Sequence, residues 1–167
     1  TAPKPTITHP GDLATGLLGH DHWQMARDIL DAVFRPMSRV AVKSCHASSK
    51  TFTSADAVVL ALLAGGDVLT TAPTWEQVRT VLWGTIRRAV NDARVDLSSW
   101  SVNQTEIMTP SGAKALGLST NEGVRFQGWH ARPESFLLIV FDEAPGVQPD
   151  IYEAVEGISA GGDVRRL

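Results

Sequence analysis

The residue pattern points to an α/β chain with a mostly parallel central sheet flanked by helices, on three observations. Short β-branched or apolar runs alternate with longer segments of helical period along the 167 residues. The run SFLLIVFDEA (Ser135–Ala144) is apolar without alternation, as expected of a strand covered on both faces. The segment FTSADAVVLALLA, residues 52–64, is apolar almost all round and ends at Gly65-Gly66, so it reads as a helix sunk between layers.

Composition sets the outer bounds. The length suits one domain or part of one, and 43% apolar residues supply a core. A net charge of −3 gives no global field to recruit DNA or acidic membranes, so any nucleic-acid contact is local. Cys45 is the only cysteine, which excludes internal disulfides and thiolate metal clusters and fits a reducing compartment. No apolar run approaches the roughly 20 residues of a membrane helix. The start, TAPKPTITHPGD, lacks a signal-peptide pattern.

Taken in order, residues 1–19 are Pro-, Gly- and Thr-rich and read as a loose lead-in. Asp21–Phe34 is a helix with Asp21 as N-cap, Pro36 as stop and Met25, Ile29, Leu30, Val33 and Phe34 at helical spacing. Ser38–Ser44 is a short β-branched strand. After the 52–64 helix, Asp67–Pro73 is a second strand. Thr74 and Gln77 match a capping box, which opens a helix with a stripe of Trp75, Val78, Val81, Leu82, Ile86 and Val90. TEIMT and VRFQGWH read as short strands, with SGAKALGLSTNEG between them as loop or short helix. The strand over 135–144 is followed by the helix IYEAVEGISA, and DVRRL opens a further element.

Two strand ends carry chemistry. SCHASSKT (Ser44–Thr51) lies between a strand and a helix, as a phosphate-binding G-x-x-x-x-G-K-[ST] loop does, with serine at both glycine positions. In such a loop the backbone N–H groups of Ser44, Cys45, His46, Ala47, Ser48 and Ser49 form an anion nest. Lys50 reaches the terminal phosphates, and the Thr51 hydroxyl ligates Mg²⁺. If Ser49 must take a positive φ, the conformation costs about 1–2 kcal/mol. Alone, the loop equally fits a strand, a small-residue turn and a helix that carries a lone lysine. LLIVFDE has the form of a Walker B element: a buried strand delivers Asp142 to hold the metal's water shell and Glu143 to polarise a water as general base. Alone, it equally fits two acids capping a buried strand. Their co-occurrence in this order, with a β-α unit between, favours a nucleotide site. Upstream, the Gln24 amide offers the donor and acceptor that an adenine edge complements, or is a surface glutamine beside a core Trp23.

Other residues carry less. Cys45 lacks partners for a nucleophile and reads as packing, and His130 reads as a core or loop histidine. His9, His20 and His22 suggest a metal only by number, and Arg79, Arg87 and Arg88 fit a solvated helix face better than a DNA-backbone contact.

VAVKSCHASSKT, TTAPTWEQVRTVLWGTIRRAV, RFQGWHA and LLIVFDEAPGV, in that order from about Asp21 onward, resemble the ATPase domain of tailed-phage terminase large subunits. The TAPTWEQVR block makes the resemblance more specific than a generic phosphate loop. It implies a P-loop NTPase fold of the ASCE, RecA-like type over 20–167, truncated at the C-terminal end, without the coupling motif, lid and nuclease domain. It implies ATP hydrolysis with Mg²⁺, double-stranded DNA as cargo, a portal protein and a small terminase subunit as partners, a homo-oligomeric ring on the portal, and the host cytoplasm, with no membrane. It matches Lys50 and Thr51 to the Walker A pair, Asp142 and Glu143 to the Walker B pair, Gln24 to the adenine-reading glutamine, and His46 to a position that is often basic. It makes Arg132 the first candidate for an arginine acting in trans and Arg125 the second. Ser49, in place of the last loop glycine, departs from the family pattern. A helicase-like ATPase and a non-catalytic module that keeps the fold without the nucleotide are the alternatives.

Overall fold

The computed structural model describes residues 9–43, 49–119 and 128–167. Among these a six-stranded sheet runs in the order β2-β3-β4-β1-β5-β6. Its strands are β1 (Asp67–Ala72), β2 (Ser101–Val102), β3 (Glu106–Met108), β4 (Lys114–Ser119), β5 (Leu137–Phe141) and β6 (Val164–Arg166). The centre is parallel, because β1 pairs with both β4 and β5, and β5 with β6. The β2-β3-β4 edge is antiparallel.

Helices cover both faces. On one lie α2 (Gln24–Val33), α3 (Lys50–Leu63) and α4 (Trp83–Asp92). On the other lies α5 (Pro149–Ser159). Strand alternation serves both layers. Leu138 and Val140 of β5 pack with the α3–α4 side, while Leu137 and Ile139 pack with Ile151, Val155 and Ile158 of α5. Every residue of α3 from Thr53 to Leu62 is buried, as the all-round apolar sequence requires.

Several expectations need correction. Residues 10–18 are not loose lead-in. Pro10–Leu13 forms α1, which continues as a π turn over Ala14–Leu18. Proline at the first helical position starts it, the His9 carbonyl accepts from Asp12 and Leu13, and Ala14 and Leu18 join the core. The next helix is capped at Trp23 rather than Asp21, and its buried face is Ala26, Leu30 and Val33, with Met25 turned to solvent. The strand expected over 38–44 is, within its described part, a single bridge. Arg39 pairs parallel to Arg166, and Val40 donates to the Arg166 carbonyl at 2.9 Å. It therefore lies beyond β6, so that β6 separates it from β5.

After β1 the capping box forms as expected: Gln77 N–H donates to Thr74 Oγ1 at 3.2 Å, and Thr74 N–H donates to Gln77 Oε1 at 3.1 Å. The stripe behind it shifts. A π segment over Gln77–Leu82 adds a residue to the turn, so Val81 faces outward and Trp83 faces inward; Trp75, ahead of that segment, is also exposed. Trp83 is fully buried, and its Nε1 donates to Thr70 Oγ1 of β1 at 2.8 Å.

The stretch expected as loop or short helix contains β4, a central strand. Gly117 in β4 is where Trp83 lies against the sheet; a Cβ there would stand 2.5 Å from the indole nitrogen. The low strand propensity of KALGLS is overridden by this packing and by pairing on both sides. Of the expected strand VRFQGWH, residues 124–127 lie outside the described residues; 128–130 are not strand.

Candidate functional site

In a parallel sheet, side chains that do chemistry gather where the strands end at their carboxyl side. Three such ends meet here. Strand β5 runs into Asp142, whose N–H donates to the Thr71 carbonyl near the end of β1 at 2.9 Å. Strand β6 ends at Arg166, and the Leu167 carbonyl accepts from Phe141 N–H at 2.7 Å. The segment beyond β6 runs parallel to it and leads towards α3, which starts at Lys50.

The convergence is explicit in one contact. Thr51 Oγ1 lies 3.4 Å from Asp142 Oδ1 and 3.5 Å from Oδ2, across 91 positions of sequence. Asp142 is buried, while Glu143 beside it is exposed. Burial pushes the Asp142 carboxyl above the usual carboxylate range, and the neighbouring Glu143 charge pushes the same way. The Thr51 hydrogen bond, the Glu143 backbone and the Lys50 ammonium pull it back. Lys50 therefore acts on the same carboxylate that Thr51 touches.

Both ends are held in unusual backbone. Ser49, immediately before α3, has φ 63° and ψ 17°, the left-handed conformation that the sequence made conditional. Its carbonyl accepts from Thr53 N–H at 2.8 Å and from Thr53 Oγ1 at 3.0 Å. Glu143 is also left-handed, with φ 52° and ψ 48°. The turn after it is fastened. Gly146 N–H donates to the Glu143 carbonyl at 3.0 Å, and Tyr152 hydroxyl donates to the Ala144 carbonyl at 2.6 Å. The Tyr152 ring also stacks on Phe141, with centroids 4.9 Å apart. Gly146 abuts Pro73, at the end of β1, closely enough that a Cβ would stand 2.5 Å from the proline ring. The TAP segment thus braces the Asp-Glu turn.

The donor set suits a hard divalent cation. Adjacent ligands on an octahedral Mg²⁺ with bonds near 2.1 Å stand about 3 Å apart, and the Thr51 and Asp142 oxygens, at 3.4 Å, are a few tenths of an ångström wider than that. A carboxylate held against burial and a like charge is also one that a cation relieves.

The other expected residues are placed as follows. Gln24 is the first residue of α2, on its exposed face, and its Nε2 donates to Asp28 at 2.8 Å. Ser44, Cys45, His46, Ala47 and Ser48, and the second arginine candidate Arg125, lie outside the described residues. Arg132, the first candidate for an arginine acting in trans, has partners within its own chain. Its Nε donates to Asp67 Oδ2 at 2.7 Å and its guanidinium to the Gly65 carbonyl at 3.0 Å, at the amino end of β1, the rim opposite Asp142. Asp67 is buried, and its other oxygen accepts from Lys114 N–H, so Arg132 is committed to neutralising it. The pairing of His20 and His22 with Asp56 was missed, because the partners lie 36 and 34 positions away and no local signal links them.

No family model matches the chain, and no curated protein matches it in sequence. Solved structures do match in fold. The Thermus phage P74-26 large terminase ATPase domain superposes with a TM-score of 0.58 at 17% identity, over 95% of this chain and 68% of that one. An arginine-to-alanine mutant of that domain gives 0.61 at 17% identity, over 95% and 69%. The chain has the fold of a phage large terminase ATPase domain.

Proposed function

We propose that this chain is a Mg²⁺-dependent ATPase domain, of the P-loop type, that powers the packaging of double-stranded DNA by a phage large terminase. The observation that carries the proposal is the meeting of Thr51 with Asp142 at one sheet rim, where α3 opens with Lys50 beside Thr51. The single strand β6 between β5 and the segment that leads to α3 supports the same reading.

In this reading Lys50 offsets charge on the terminal phosphates, and Thr51 with Asp142 holds Mg²⁺. When bound, the ion neutralises charge that develops on the phosphate oxygens. Glu143, exposed one residue beyond Asp142, orients a water and takes its proton as general base. Phosphoryl transfer asks mainly for positioning and charge, which a rigid strand end and a helix start supply. Residues 20–167 form the catalytic unit, with 10–18 packed into the same core. A ring of such chains on a portal, joined by a small terminase subunit in the host cytoplasm, is the assembly in which the hydrolysis would do mechanical work. Arg132, which pairs with Asp67 within its own chain, and Arg125 remain the first and second candidates for an arginine acting in trans.

The test is Glu143→Ala. ATP turnover is expected to fall about a hundredfold or more, while calorimetric titration finds ATP affinity within about threefold of the parent. Unchanged turnover would remove Glu143 as the base. One observation favours the non-catalytic alternative: the left-handed Ser49, where the loop pattern has glycine. Absence of ATP binding in both the parent and Ser49→Gly would support that alternative.

A further inference from the structure

Asp56 sits in α3 with its carboxylate wholly shielded from solvent, and the phosphate chemistry above makes no use of it. Two imidazoles clasp it. His20 Nδ1 lies 2.8 Å from Oδ1 and 2.9 Å from Oδ2, and His22 Nε2 lies 2.6 Å from Oδ2. A neutral imidazole carries one N–H, so the carboxylate is satisfied when His20 holds its proton on Nδ1 and His22 on Nε2. The Phe52 ring lies against both, with centroids 4.5 and 5.2 Å away. Burying a carboxylate is unfavourable even when paired, and apolar side chains would fill the same core position at no such cost. The cluster is better explained by what it fixes in place.

What it fixes is the junction of two elements. Phe52 follows Thr51, and Asp56 lies six residues after Lys50, about 9 Å along the helix axis. His20 and His22 flank Asp21 and lead directly into Trp23, the cap of α2, and Gln24, its first residue. The clasp therefore pins the start of α2 to the helix whose first turn carries Lys50 and Thr51. With one Gln24 N–H donated to Asp28, the amide retains a second N–H and its carbonyl oxygen. That donor–acceptor pair complements the edge of a purine base.

We infer that Asp56, His20 and His22 are positioning residues that fix the Trp23–Gln24 segment relative to the phosphate end of α3, so that base recognition and triphosphate binding act as one rigid site. The inference rests on the nucleotide reading proposed above. It concerns affinity for the base and leaves affinity for phosphate alone untouched.

The experiment compares calorimetric binding of ATP and of inorganic tripolyphosphate, both with Mg²⁺, to the intact chain. The variants are His20→Ala, His20→Gln and Asp56→Asn, with Gln24→Ala as the benchmark. In His20→Ala, ATP affinity is expected to drop about tenfold toward that of tripolyphosphate, as in Gln24→Ala, with tripolyphosphate affinity unchanged within about twofold. His20→Gln, whose amide can still donate to Asp56, should regain most of the loss. An unaltered preference for ATP in His20→Ala overturns the inference. So does equal loss of both ligands, which marks a merely structural role. Should circular dichroism show His20→Ala unfolded, Asp56→Asn, which keeps volume and an acceptor oxygen, is read by the same two criteria. A parent chain that binds neither ligand would overturn the nucleotide reading and the inference with it; a parent that binds both, with unaltered variants, overturns the inference alone.

Discussion

Ser49 and Glu143 are the two left-handed non-glycine residues next to the site, one at the start of α3 and one past the end of β5. Each such conformation costs about 1 kcal/mol or more for an L-residue and persists where the surroundings over-determine it. Ser49→Gly is therefore expected to raise unfolding free energy by about 1 kcal/mol in urea denaturation and to tighten ATP binding. Asp142 gives a prediction of opposite character. Its folded pKa is raised, chiefly by burial and then by Glu143, so the folded chain holds this proton more tightly than the unfolded chain does. Its contribution to stability is full below the unfolded value of about 3.9 and is lost as pH rises through the folded value. Without Mg²⁺, Asp142→Asn should raise the Tm at pH 7, and the gain should vanish towards pH 3. A gain that persists at pH 3 would assign it to something other than the carboxylate's charge. The Ser49 conformation was legible because the loop pattern demands glycine there. The Glu143 turn was not, since Asp-Glu-Ala-Pro encodes no positive φ.

Elements were legible where their signals are local. The capping box at Thr74 and Gln77 closes within four residues, so sequence suffices; Gln77→Ala should cost about 1 kcal/mol in thermal denaturation through loss of the reciprocal bond. The π segment behind it has no local signature, and a strict 3.6-residue count therefore misassigned Val81 and Trp83. Strand β4 was missed for a similar reason. Ala115, Leu118 and Gly117 become strand through β1, β3 and the Trp83 indole, all of which come from elsewhere in the chain. Arg132 illustrates the same limit for function. The family resemblance made it a candidate finger, and no local signal announced its partner, the buried Asp67, 65 positions away. Arg132→Ala should destabilise the fold by about 2 kcal/mol, after allowance for the guanidinium's partial exposure, because it strips a buried carboxylate of its countercharge.

The molecule as a whole is a sheet whose strand order does the assembling. Putting β6 between β5 and the segment that leads to α3 brings Thr51 and Asp142, 91 residues apart, to one rim. The two motifs are separately ambiguous in sequence and become informative only when the sheet joins them. Their resemblance to terminase blocks anticipated the fold that the solved structures share at 17% identity. The most direct measurement is a crystal structure of the chain with Mg²⁺ and a non-hydrolysable ATP analogue. The metal should lie about 2.1 Å from Thr51 Oγ1, within reach of Asp142 directly or through one water, with Lys50 on the terminal phosphates. A triphosphate bound away from Lys50, or a metal that touches neither Thr51 nor the Asp142 water shell, would contradict the account.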